Sequence, residues 1–495
     1  MKVSIKAHTS EGIRTIEAEN GETLLSALTR EGLILSAPCG GRGRCGKCIL
    51  RAVGSFENEP SEFAGVIPEG SVLACHTRVT GDSEVWLTET ENRILSAGTG
   101  RETVSDGEEG LGVAVDIGTT TVAAYLVNLQ NGETLACETM LNPQRGHGAD
   151  VISRLSFAME KTDNALLCQN EILTAIWEMT RKMLEKSGNA GKEINMVSCV
   201  GNTVMMHLLG GYPVDSLALA PFTPFYTEPH EKTLNGMKTY LGGCISGYVG
   251  ADTVGAALAC DLDITDETAL LIDIGTNGEI VLRHEGKFVC CSCAAGPAFE
   301  GAHIACGTGA VTGAIDHVKN ENGTLTYSTI GNSEAVGICG SGLIDLVAAL
   351  VDEEEISPAG RMSADYRLND RVYLARGDVR EVQLAKAAIA AGIQILLDEM
   401  GISGEDVRKV YVAGGFGNFI NMENACKIGM LPMEFLPSIE CVGNAAGDGA
   451  RRMLLSANMR ERAKEFRNRA RYVELAAQPD FNDLYAENLL FSEEE

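Results

Sequence analysis

The chain contains the stretch Leu111-Gly-Val-Ala-Val-Asp-Ile-Gly-Thr-Thr-Thr121, in which small and β-branched apolar residues lead into a polar turn. The same pattern returns as Ala269-Leu-Leu-Ile-Asp-Ile-Gly-Thr-Asn-Gly278. Each stretch predicts a strand that enters an Asp-Ile-Gly-Thr turn. The further strands predicted after the turns are Val122 to Leu129, Leu135 to Met140, Glu279 to Leu282 and Phe288 to Ser292. Two similar halves that face each other make a cleft between them.

The repeated turn is suited to binding phosphate. Its glycine lets the backbone approach closely, and its N–H groups and threonine hydroxyls donate to phosphate oxygens. The residues predicted to hold phosphate are Gly118, Thr119, Thr120, Gly275, Thr276 and Asn277. Asp116 and Asp273 end the two strands, and their carboxylates can hold a hydrated Mg²⁺. Two such turns on opposite sides of a cleft predict a site for a nucleoside triphosphate.

A third glycine motif, Val412-Ala-Gly-Gly-Phe-Gly417, follows a strand predicted from Lys409 to Val412. Together with the two turns it resembles the nucleotide site of the superfamily that contains acetate kinase, sugar kinases, Hsc70 and actin. The resemblance implies a two-lobed ATPase made of duplicated RNase H-like halves, with ATP and Mg²⁺ in the cleft. The residues that it implies beside the adenosine or the rest of the nucleotide are Gly414, Gly415, Gly417, Gly340, Ser341 and Gly342.

Asp252 is the candidate for orienting the attacking water. It precedes the second turn in the sequence, and a carboxylate at that place could orient water. The alternative interpretation is an N-cap, because Asp252 stands directly before the helical stretch Thr253-Val-Gly-Ala256.

Four cysteines near the N-terminus, Cys39, Cys45, Cys48 and Cys75, suggest an iron–sulfur site. The first three follow a Cys-x5-Cys-x2-Cys spacing inside a glycine-rich loop, and such clusters need four thiolates on one centre. The alternative is zinc, which is favoured by two Cys-x2-Cys pairs, whereas the sequence has one. The loop also matches Gly-x-Gly-x-x-Gly from Gly41, but a dinucleotide motif should follow a strand and open a helix.

The segments around these cysteines predict a small β-rich domain. Residues 1–18 predict a hairpin with Glu11-Gly12 at its turn, Thr23 to Glu31 a short helix, and Cys48 to Val53 a strand. The pattern resembles a [2Fe–2S] ferredoxin domain of β-grasp fold with the adrenodoxin-like cysteine spacing. The resemblance implies a [2Fe–2S] cluster held by the four cysteines.

The chain is predicted to divide into two domains joined by a linker. Residues 89–110 are rich in Gly, Ser, Thr and acidic residues, which is typical of a flexible acidic linker. The predicted organisation is a ferredoxin domain over 1–88, ATPase lobe I over 111–262 and lobe II over 263–495. The fold class is therefore α+β in the first domain and α/β in the second.

A ferredoxin domain joined to this ATPase resembles the reductive activators of corrinoid-dependent enzymes, which are iron–sulfur ATPases. Further stretches match that family: Asn142-Pro-Gln144, Gly148-Ala-Asp-Val-Ile-Ser-Arg154, Gly201-Asn-Thr203, Val249-Gly-Ala-Asp-Thr253, Ala294-Ala-Gly-Pro-Ala-Phe-Glu-Gly301, Gly337-Ile-Cys-Gly-Ser-Gly-Leu-Ile-Asp345 and Leu384-Ala-Lys-Ala-Ala-Ile389. The resemblance implies ATP-dependent electron transfer from the cluster that returns inactive Co(II) to Co(I) in a corrinoid protein or methyltransferase. It also implies an upstream low-potential electron donor and a homodimer.

Two other functions remain open from the sequence. A small-molecule kinase with a redox-sensing ferredoxin domain would phosphorylate an added acceptor. A non-enzymatic electron-transfer module would carry electrons without ATP turnover. The activator differs from both, because it requires ATPase activity that responds to a Co(II) corrinoid protein.

The charge balance bears on the class of partner. The 495 residues carry 40 basic and 68 acidic groups, a net charge of −28. Such a surface repels phosphate backbones and anionic lipids, so neither nucleic acid nor a membrane is expected as a partner. The first residues predict a strand rather than an apolar signal segment, so a cytoplasmic protein with reduced thiols is expected.

Most of the 16 cysteines lack the spacing of metal ligands. Cys290 and Cys291 are adjacent on a predicted strand, so they face opposite sides and, with Cys293, are expected to be buried small hydrophobes. Core positions are also expected for Cys199, Cys244, Cys306, Cys339, Cys426 and Cys441. His207 is expected to pack in the core, and Leu384 to Met400 is expected to form a buried helix.

Overall fold

The computed structural model describes residues 2–9, 12–31, 33, 43, 48–61, 67–87, 104–148, 150–321, 323–414 and 420–491. Several residues of the predicted sites lie outside these ranges, namely Glu11, Cys39, Cys45, Gly415 and Gly417. The greater part of the predicted linker, 89–103, also lies outside them.

The N-terminal residues form a five-stranded sheet crossed by one helix. Its elements are β1 (Lys2–Thr9), β2 (Gly12–Glu19), α1 (Leu24–Arg30), β3 (Ile49–Asn58), β4 (Ser71–Leu73) and β5 (Thr77–Trp86). The strand order is β2-β1-β5-β3-β4, with β1 parallel to β5 and the other pairs antiparallel. Ile5 and Ala7 alternate with exposed Lys6, so one face of β1 packs on Leu24 and Leu28 of α1. The β-grasp prediction is confirmed.

The first Asp-Ile-Gly-Thr turn belongs to a six-stranded sheet. The elements of this region are β6 (Leu111–Ile117), β7 (Thr121–Asn128), β8 (Thr134–Leu141), α2 (Val151–Glu160), α3 (Thr162–Lys186), β9 (Ile194–Gly201), α4 (Thr203–Gly210), α5 (Asp215–Ala218), β10 (His230–Leu234), β11 (Met237–Leu241) and α6 (Ala251–Ala259). The strand order is β10-β11-β9-β6-β7-β8. β6 pairs antiparallel with β7 and parallel with β9, so the turn lies at the carboxyl end of a central strand.

The second turn belongs to a sheet with the same pairing. The elements of this region are β12 (Ala269–Ile274), β13 (Gly278–His284), β14 (Lys287–Cys293), β15 (Ala314–Glu321), β16 (Thr324–Thr329), β17 (Gly337–Ile338), α7 (Gly340–Asp352), β18 (Tyr366–Arg367), β19 (Tyr373–Leu374), α8 (Arg376–Met400), β20 (Lys409–Ala413), α9 (Met422–Lys427), β21 (Ile439–Gly443), α10 (Ala445–Leu455), α11 (Ala457–Arg469), β22 (Ala470–Tyr472) and α12 (Phe481–Glu487). The strand order is β21-β20-β12-β13-β14-β22. β12 pairs antiparallel with β13 and parallel with β20, as β6 does with β7 and β9, so the predicted duplication is confirmed.

Two helices, α6 and α10, hold the two sheets together. A Cβ built on Gly449 of α10 would lie 2.1 Å from the carbonyl oxygen of Gly255 in α6, so the backbones touch where neither helix has a side chain. α10 follows β21 of the second sheet, yet its Ala450 and Leu454 are buried in the same hydrophobic core as β6 and β9. The C-terminal part of the chain therefore returns to the first sheet and fixes the two halves against each other.

The cysteines of β14 divide between two cores. Cys290 is buried in the core of the first sheet, whereas Cys291 and Cys293 are buried in the core formed with α7 and α8. This confirms that adjacent residues of the strand face opposite sides. Cys199, Cys244, Cys339 and Cys426 are buried as predicted, but Cys306 is half-buried and Cys441 is exposed. The core prediction is wrong for Cys441 because β21 is the edge strand of its sheet.

Two other boundaries differ from the prediction. α8 begins at Arg376 rather than Leu384, because Asp378 in its first turn accepts the Ala375 N–H at 2.9 Å and starts the helix earlier. At the end of the predicted linker, residues 104–110 are anchored. Asp106 accepts from the Ser456 hydroxyl at 2.8 Å and from the Ala457 N–H at 2.7 Å at the start of α11.

Within the described part of the chain, no helix is both long and apolar enough to cross a membrane.

His207 packs inside α4, as predicted, and is fully buried. Its Nδ1 lies 2.7 Å from the Thr203 carbonyl oxygen, and its Nε2 accepts the N–H groups of Phe225 at 3.0 Å and Tyr226 at 3.3 Å. These contacts select the neutral ring with its proton on Nδ1. Burial lowers the pKa of His207 to about 4, because a second proton would meet two N–H donors in a dry site.

We expect acid to destabilise this region. The unfolded chain binds a proton on His207 near pH 6.5 and the folded chain does not, so the free energy of unfolding should fall by about 2 kcal/mol between pH 6.5 and pH 5. A His207→Gln chain lacks this contribution, and its urea midpoint should fall less over the same range. Urea unfolding followed by circular dichroism measures both midpoints. The exposed His303→Asn is the matched control, and equal losses in all three chains would contradict the assignment.

Candidate functional site

Each Asp-Ile-Gly-Thr turn is closed by a backbone hydrogen bond from its glycine, but the acceptor lies three residues ahead in the first turn and two residues ahead in the second. In the first, the Gly118 N–H donates to the Thr121 carbonyl oxygen at 3.0 Å, and in the second the Gly275 N–H donates to that of Asn277 at 3.0 Å. Each bond closes a tight connection between two antiparallel strands. The threonines that follow each glycine are thereby held at the carboxyl ends of β6 and β12.

Three stretches far away in the sequence support the first turn. The Asn142 side chain donates to the Gly118 carbonyl at 2.8 Å, and its N–H donates to the Thr120 carbonyl at 2.9 Å. Asn202 donates from Nδ2 to the Thr119 hydroxyl at 2.9 Å, and the buried Arg154 donates to the Thr119 carbonyl. The first turn is therefore positioned by the stretches that contain Asn142, Arg154 and Asn202. The sequence alone did not indicate this role.

Glu300 joins the two turns, and sequence reasoning missed it. Its Oε2 accepts the Thr120 hydroxyl at 2.6 Å, and its Oε1 accepts the Thr276 hydroxyl at 2.7 Å. Glu300 ends a short 3₁₀ turn, Ala298–Glu300, that follows β14. The only available signal was an acidic residue in the otherwise small and apolar stretch from Ala294 to Gly301. One carboxylate thus contacts two of the three threonine hydroxyls that were predicted to bind phosphate, those of Thr120 and Thr276.

Three aspartates share the floor of the cleft. Burial, followed by repulsion from the other two, raises the pKa of Asp116 to about 8, and burial and Asp252 raise that of Asp273 to about 7. Burial raises the pKa of Asp252 to about 6. Asn444, the N-cap of α10, hydrogen-bonds to Asp116 and offsets part of the rise in the pKa of Asp116. The structure therefore brings together the three predicted carboxylates, and their mutual repulsion favours a cation.

The alternative interpretation of Asp252 as an N-cap is wrong. Gly250 occupies the N-cap of α6, and Asp252 lies in the first helical turn. Its Oδ1 accepts the N–H of the next residue, Thr253, at 2.7 Å. Among the described residues no group of three His, Cys, Asp or Glu side chains has the geometry of a complete metal site. Mg²⁺ in proteins commonly takes one or two carboxylates and completes its shell with waters and phosphate oxygens.

The third glycine motif meets the second turn. Gly414 has a φ of 103°, and a Cβ on it would lie 2.4 Å from the Ile274 carbonyl oxygen and 3.0 Å from Asp273 Oδ1. Gly415 and Gly417 lie outside the described residues. Ser341, at the start of α7, donates its hydroxyl to the Asp316 carbonyl at 2.8 Å, and a Cβ on Gly340 would meet the Phe299 carbonyl at 2.1 Å. These two residues therefore pack α7 onto the strand and the turn beside Glu300.

The described cysteines of the N-terminal domain converge. Cys48 precedes β3, and Cys75 lies in the 3₁₀ turn Ala74–His76 between β4 and β5. The pairing of β3 with β4 brings the two sulfur atoms to 3.3 Å, and both residues are buried. Cys39 and Cys45 lie outside the described residues. Two buried thiols that approach this closely fit ligands of one metal centre.

Comparison with known proteins matches each part of the chain. Residues 8–80 match the 2Fe-2S iron-sulfur cluster binding domain, 111–265 the RACo middle region, and 267–495 the C-terminal ASKHA domain of RACo. The corrinoid activation enzyme RamQ of Eubacterium limosum is 35% identical over 423 residues, which cover 77% of this chain and 70% of RamQ. The chain belongs to the family of corrinoid activation enzymes.

Two further relatives of this family member agree with that assignment. A Methanosarcina barkeri protein named [Co(II) methylated amine-specific corrinoid protein] reductase is 26% identical, with 76% of each chain covered. A solved structure of a reductive activator for corrinoid,iron-sulfur protein superposes with a TM-score of 0.72 at 27% identity, and covers 99% of this chain and 98% of that one. The predicted [2Fe–2S] and ATP cofactors are confirmed at the level of the domains.

We expect the cluster to depend on the paired cysteines. Anaerobically purified chain should contain about two irons and absorb as a [2Fe–2S] protein. Cys48→Ser or Cys75→Ser should lower the iron content sharply, because each removes a thiolate ligand. The exposed Cys441→Ser is the matched control and should retain the iron. A colourless wild-type chain with about one zinc would support the alternative metal.

Gly414→Ala should weaken ATP binding by about tenfold or more, which corresponds to ~1.4 kcal/mol. The added methyl group must displace the Ile274 carbonyl or the Asp273 carboxylate, and the left-handed backbone strains it further. Gly377→Ala is the matched control, since a Cβ there meets nothing within 4 Å. Isothermal titration with Mg-ATP measures both affinities. Equal affinities for the two variants would contradict a role of Gly414 in the nucleotide site.

Proposed function

We propose that this chain reactivates a corrinoid protein by reducing inactive Co(II) to Co(I), with one electron per event and at the expense of ATP. The observation that carries the proposal is the joining of a two-thiol site in a β-grasp domain to a duplicated Asp-Ile-Gly-Thr cleft. The likeness over nearly the full length to a reductive activator of a corrinoid protein supports it. The substrate is the cobalt centre of a corrinoid protein or methyltransferase.

The cleft residues then have the following roles. Asp116 and Asp273 hold Mg²⁺, and Asp252 orients the water that attacks the terminal phosphate. The phosphates bind to Gly118, Thr119, Thr120, Gly275, Thr276 and Asn277, and the nucleotide also meets Gly340, Ser341, Gly414, Gly415 and Gly417. Support comes from the raised pKa of the three aspartates, because burial, together with repulsion at Asp116 and Asp273, disfavours their charged forms and a bound cation would restore them. Lobe I extends over 111–262 and lobe II over 263–495.

Cys39, Cys45, Cys48 and Cys75 hold the [2Fe–2S] cluster, which supplies single electrons near ~−400 mV when it is of ferredoxin type. Every ~59 mV by which the cobalt is harder to reduce costs a factor of ten for one electron. ATP can offset that cost only if the closed and open forms of the cleft interact differently with the corrinoid protein. We therefore assign to the nucleotide a gating role.

One contact supports coupling between the cleft and the ferredoxin domain. Asn142, which holds the first turn through Gly118 and Thr120, directly precedes the 3₁₀ turn Pro143–His147. α1 of the ferredoxin domain lies beside that 3₁₀ turn. A shift of the first turn on nucleotide binding can therefore reach the domain that holds the cluster through two direct contacts. The first joins the turn to Asn142, and the second joins the 3₁₀ turn Pro143–His147 to α1.

The remaining partners follow from the same function. A low-potential electron donor must reduce the cluster between events. The homodimer is inferred from the resemblance to the activator family alone, and the cytoplasmic location from the N-terminal sequence. The net charge of −28 supports a protein partner rather than nucleic acid or an anionic membrane surface.

Asp273→Ala should lower ATP-dependent reactivation by about a hundredfold, because it removes a carboxylate from the cation site at the cleft floor. The measurement follows the loss of the Co(II) spectrum of a corrinoid protein in the presence of reductant and Mg-ATP. Asp266→Ala is the matched control, because its side chain is fully exposed before β12. Reactivation that survives Asp273→Ala would favour a simple electron-transfer module, and a phosphorylated small acceptor would favour a kinase.

A further inference from the structure

Glu300 holds donors that a phosphate group also needs. Each threonine hydroxyl has one hydrogen, so it donates to one acceptor at a time. The hydrogens of Thr120 and Thr276 are both donated to the Glu300 carboxylate, at 2.6 and 2.7 Å. A phosphate oxygen can take either hydrogen only after Glu300 gives it up.

The surroundings of Glu300 form an anion site. Besides the two hydroxyls, the guanidinium groups of Arg145 and Arg154 act electrostatically on its carboxylate. Arg154 is fully buried and also donates to the Thr119 carbonyl of the first turn. Hydroxyl donors and guanidinium groups around one point are the usual recognition elements for a phosphate group. Glu300 is thus a negatively charged side chain of the protein seated in a place suited to a phosphate.

The turn geometry indicates which phosphate is concerned. Gly414, which the proposed function assigns to the adenosine side, contacts Asp273 at the end of β12. Thr276 lies beyond Asp273 along the second turn, and Thr120 lies beyond Asp116 along the first. In the proposed function the adenosine lies beside Gly414, so we assign the far end of the triphosphate to the two threonines that share Glu300.

We propose that the Glu300 carboxylate competes with the terminal phosphate of ATP for the Thr120 and Thr276 hydroxyls. Glu300 is then a positioning residue that makes the cleft respond to ATP rather than to ADP. The inference rests on the proposed nucleotide function. Thr120 lies in the turn between β6 and β7 of the first sheet, whereas Thr276 lies between β12 and β13 of the second sheet and Glu300 lies in the 3₁₀ turn after β14. Displacement of Glu300 by phosphate therefore breaks a hydrogen bond between the two halves of the cleft and replaces it with one through the nucleotide.

Two glycines bound the segment that carries Glu300. Gly296 has a φ of 78° and Gly301 a φ of 76°, so the stretch that carries Glu300 is bounded by two left-handed glycines. The Phe299 carbonyl of the same stretch contacts Gly340 at the start of α7. A displaced Glu300 thus changes the packing of α7 as well as the inter-lobe contact.

The test compares ATP and ADP affinities of Glu300→Gln and wild-type chains by isothermal titration at fixed Mg²⁺. The glutamine removes the negative charge and leaves the shape, so ATP should bind about tenfold tighter, whereas the ADP affinity should stay within about twofold of wild type. Glu300→Asp keeps the charge on a shorter side chain, so its ATP affinity should lie between those of the wild-type and Glu300→Gln chains. The exposed Glu334→Gln, which removes a carboxylate paired with Arg371, is the matched control.

A second arm separates competition from a structural effect. In a chain with Thr120→Val and Thr276→Val the hydroxyls are absent, so adding Glu300→Gln should give a much smaller gain in ATP affinity than it gives alone. The visible spectrum of the cluster and the circular dichroism of each variant report whether it is folded.

Three outcomes contradict the inference. ADP that tightens as much as ATP would show a general effect on the cleft. Unchanged ATP affinity together with lost hydrolysis would make Glu300 a base for water instead. A wild-type chain that binds no ATP would overturn the proposed function itself. This outcome is distinguished from the other two because it is seen before any variant is compared.

Discussion

The burial of Asp116, Asp252 and Asp273 near one another is the constraint on which the other features depend. Asp116 and Asp273 end equivalent strands of two sheets, and Asp252 in α6 lies near both. The glycine contact between α6 and α10 lets the sheets approach closely enough for these charges to interact. The fold therefore keeps three buried carboxylates together, at an electrostatic cost that a bound cation would relieve.

The local parts of the fold could be predicted from the sequence because they depend on neighbouring residues. Apolar runs and Asp-Ile-Gly-Thr turns predict β6, β7, β12 and β13 within one or two residues, since period and turn chemistry are local signals. The cysteine spacing predicted a single site, and the approach of Cys48 to Cys75 fits it. The parallel partners β9 and β20 arise from crossover connections, whose pairing no local pattern specifies.

What the sequence did not reveal depends on contacts between distant segments. Glu300 is unremarkable in its own stretch and gains meaning only where it meets Thr120 and Thr276. The exposure of Cys441 follows from the edge position of β21, which is a property of the whole sheet. The return of α10 to the first core is likewise invisible in the sequence, because its small apolar residues suit either core equally well.

The two turns are supported unequally, and this asymmetry bears on which side moves. The first is fixed from outside by Asn142, Arg154 and Asn202, whose amide and guanidinium groups hold its backbone and Thr119. The second meets Gly414 and shares Glu300, whose segment is bounded by left-handed glycines. The segment Pro143–His147, which follows Asn142, lies beside α1 of the ferredoxin domain, so the first turn is the one linked by direct contacts to that domain. In the proposed function, a change at the first turn on nucleotide binding therefore reaches the ferredoxin domain through this contact, whereas Glu300 acts on the second turn.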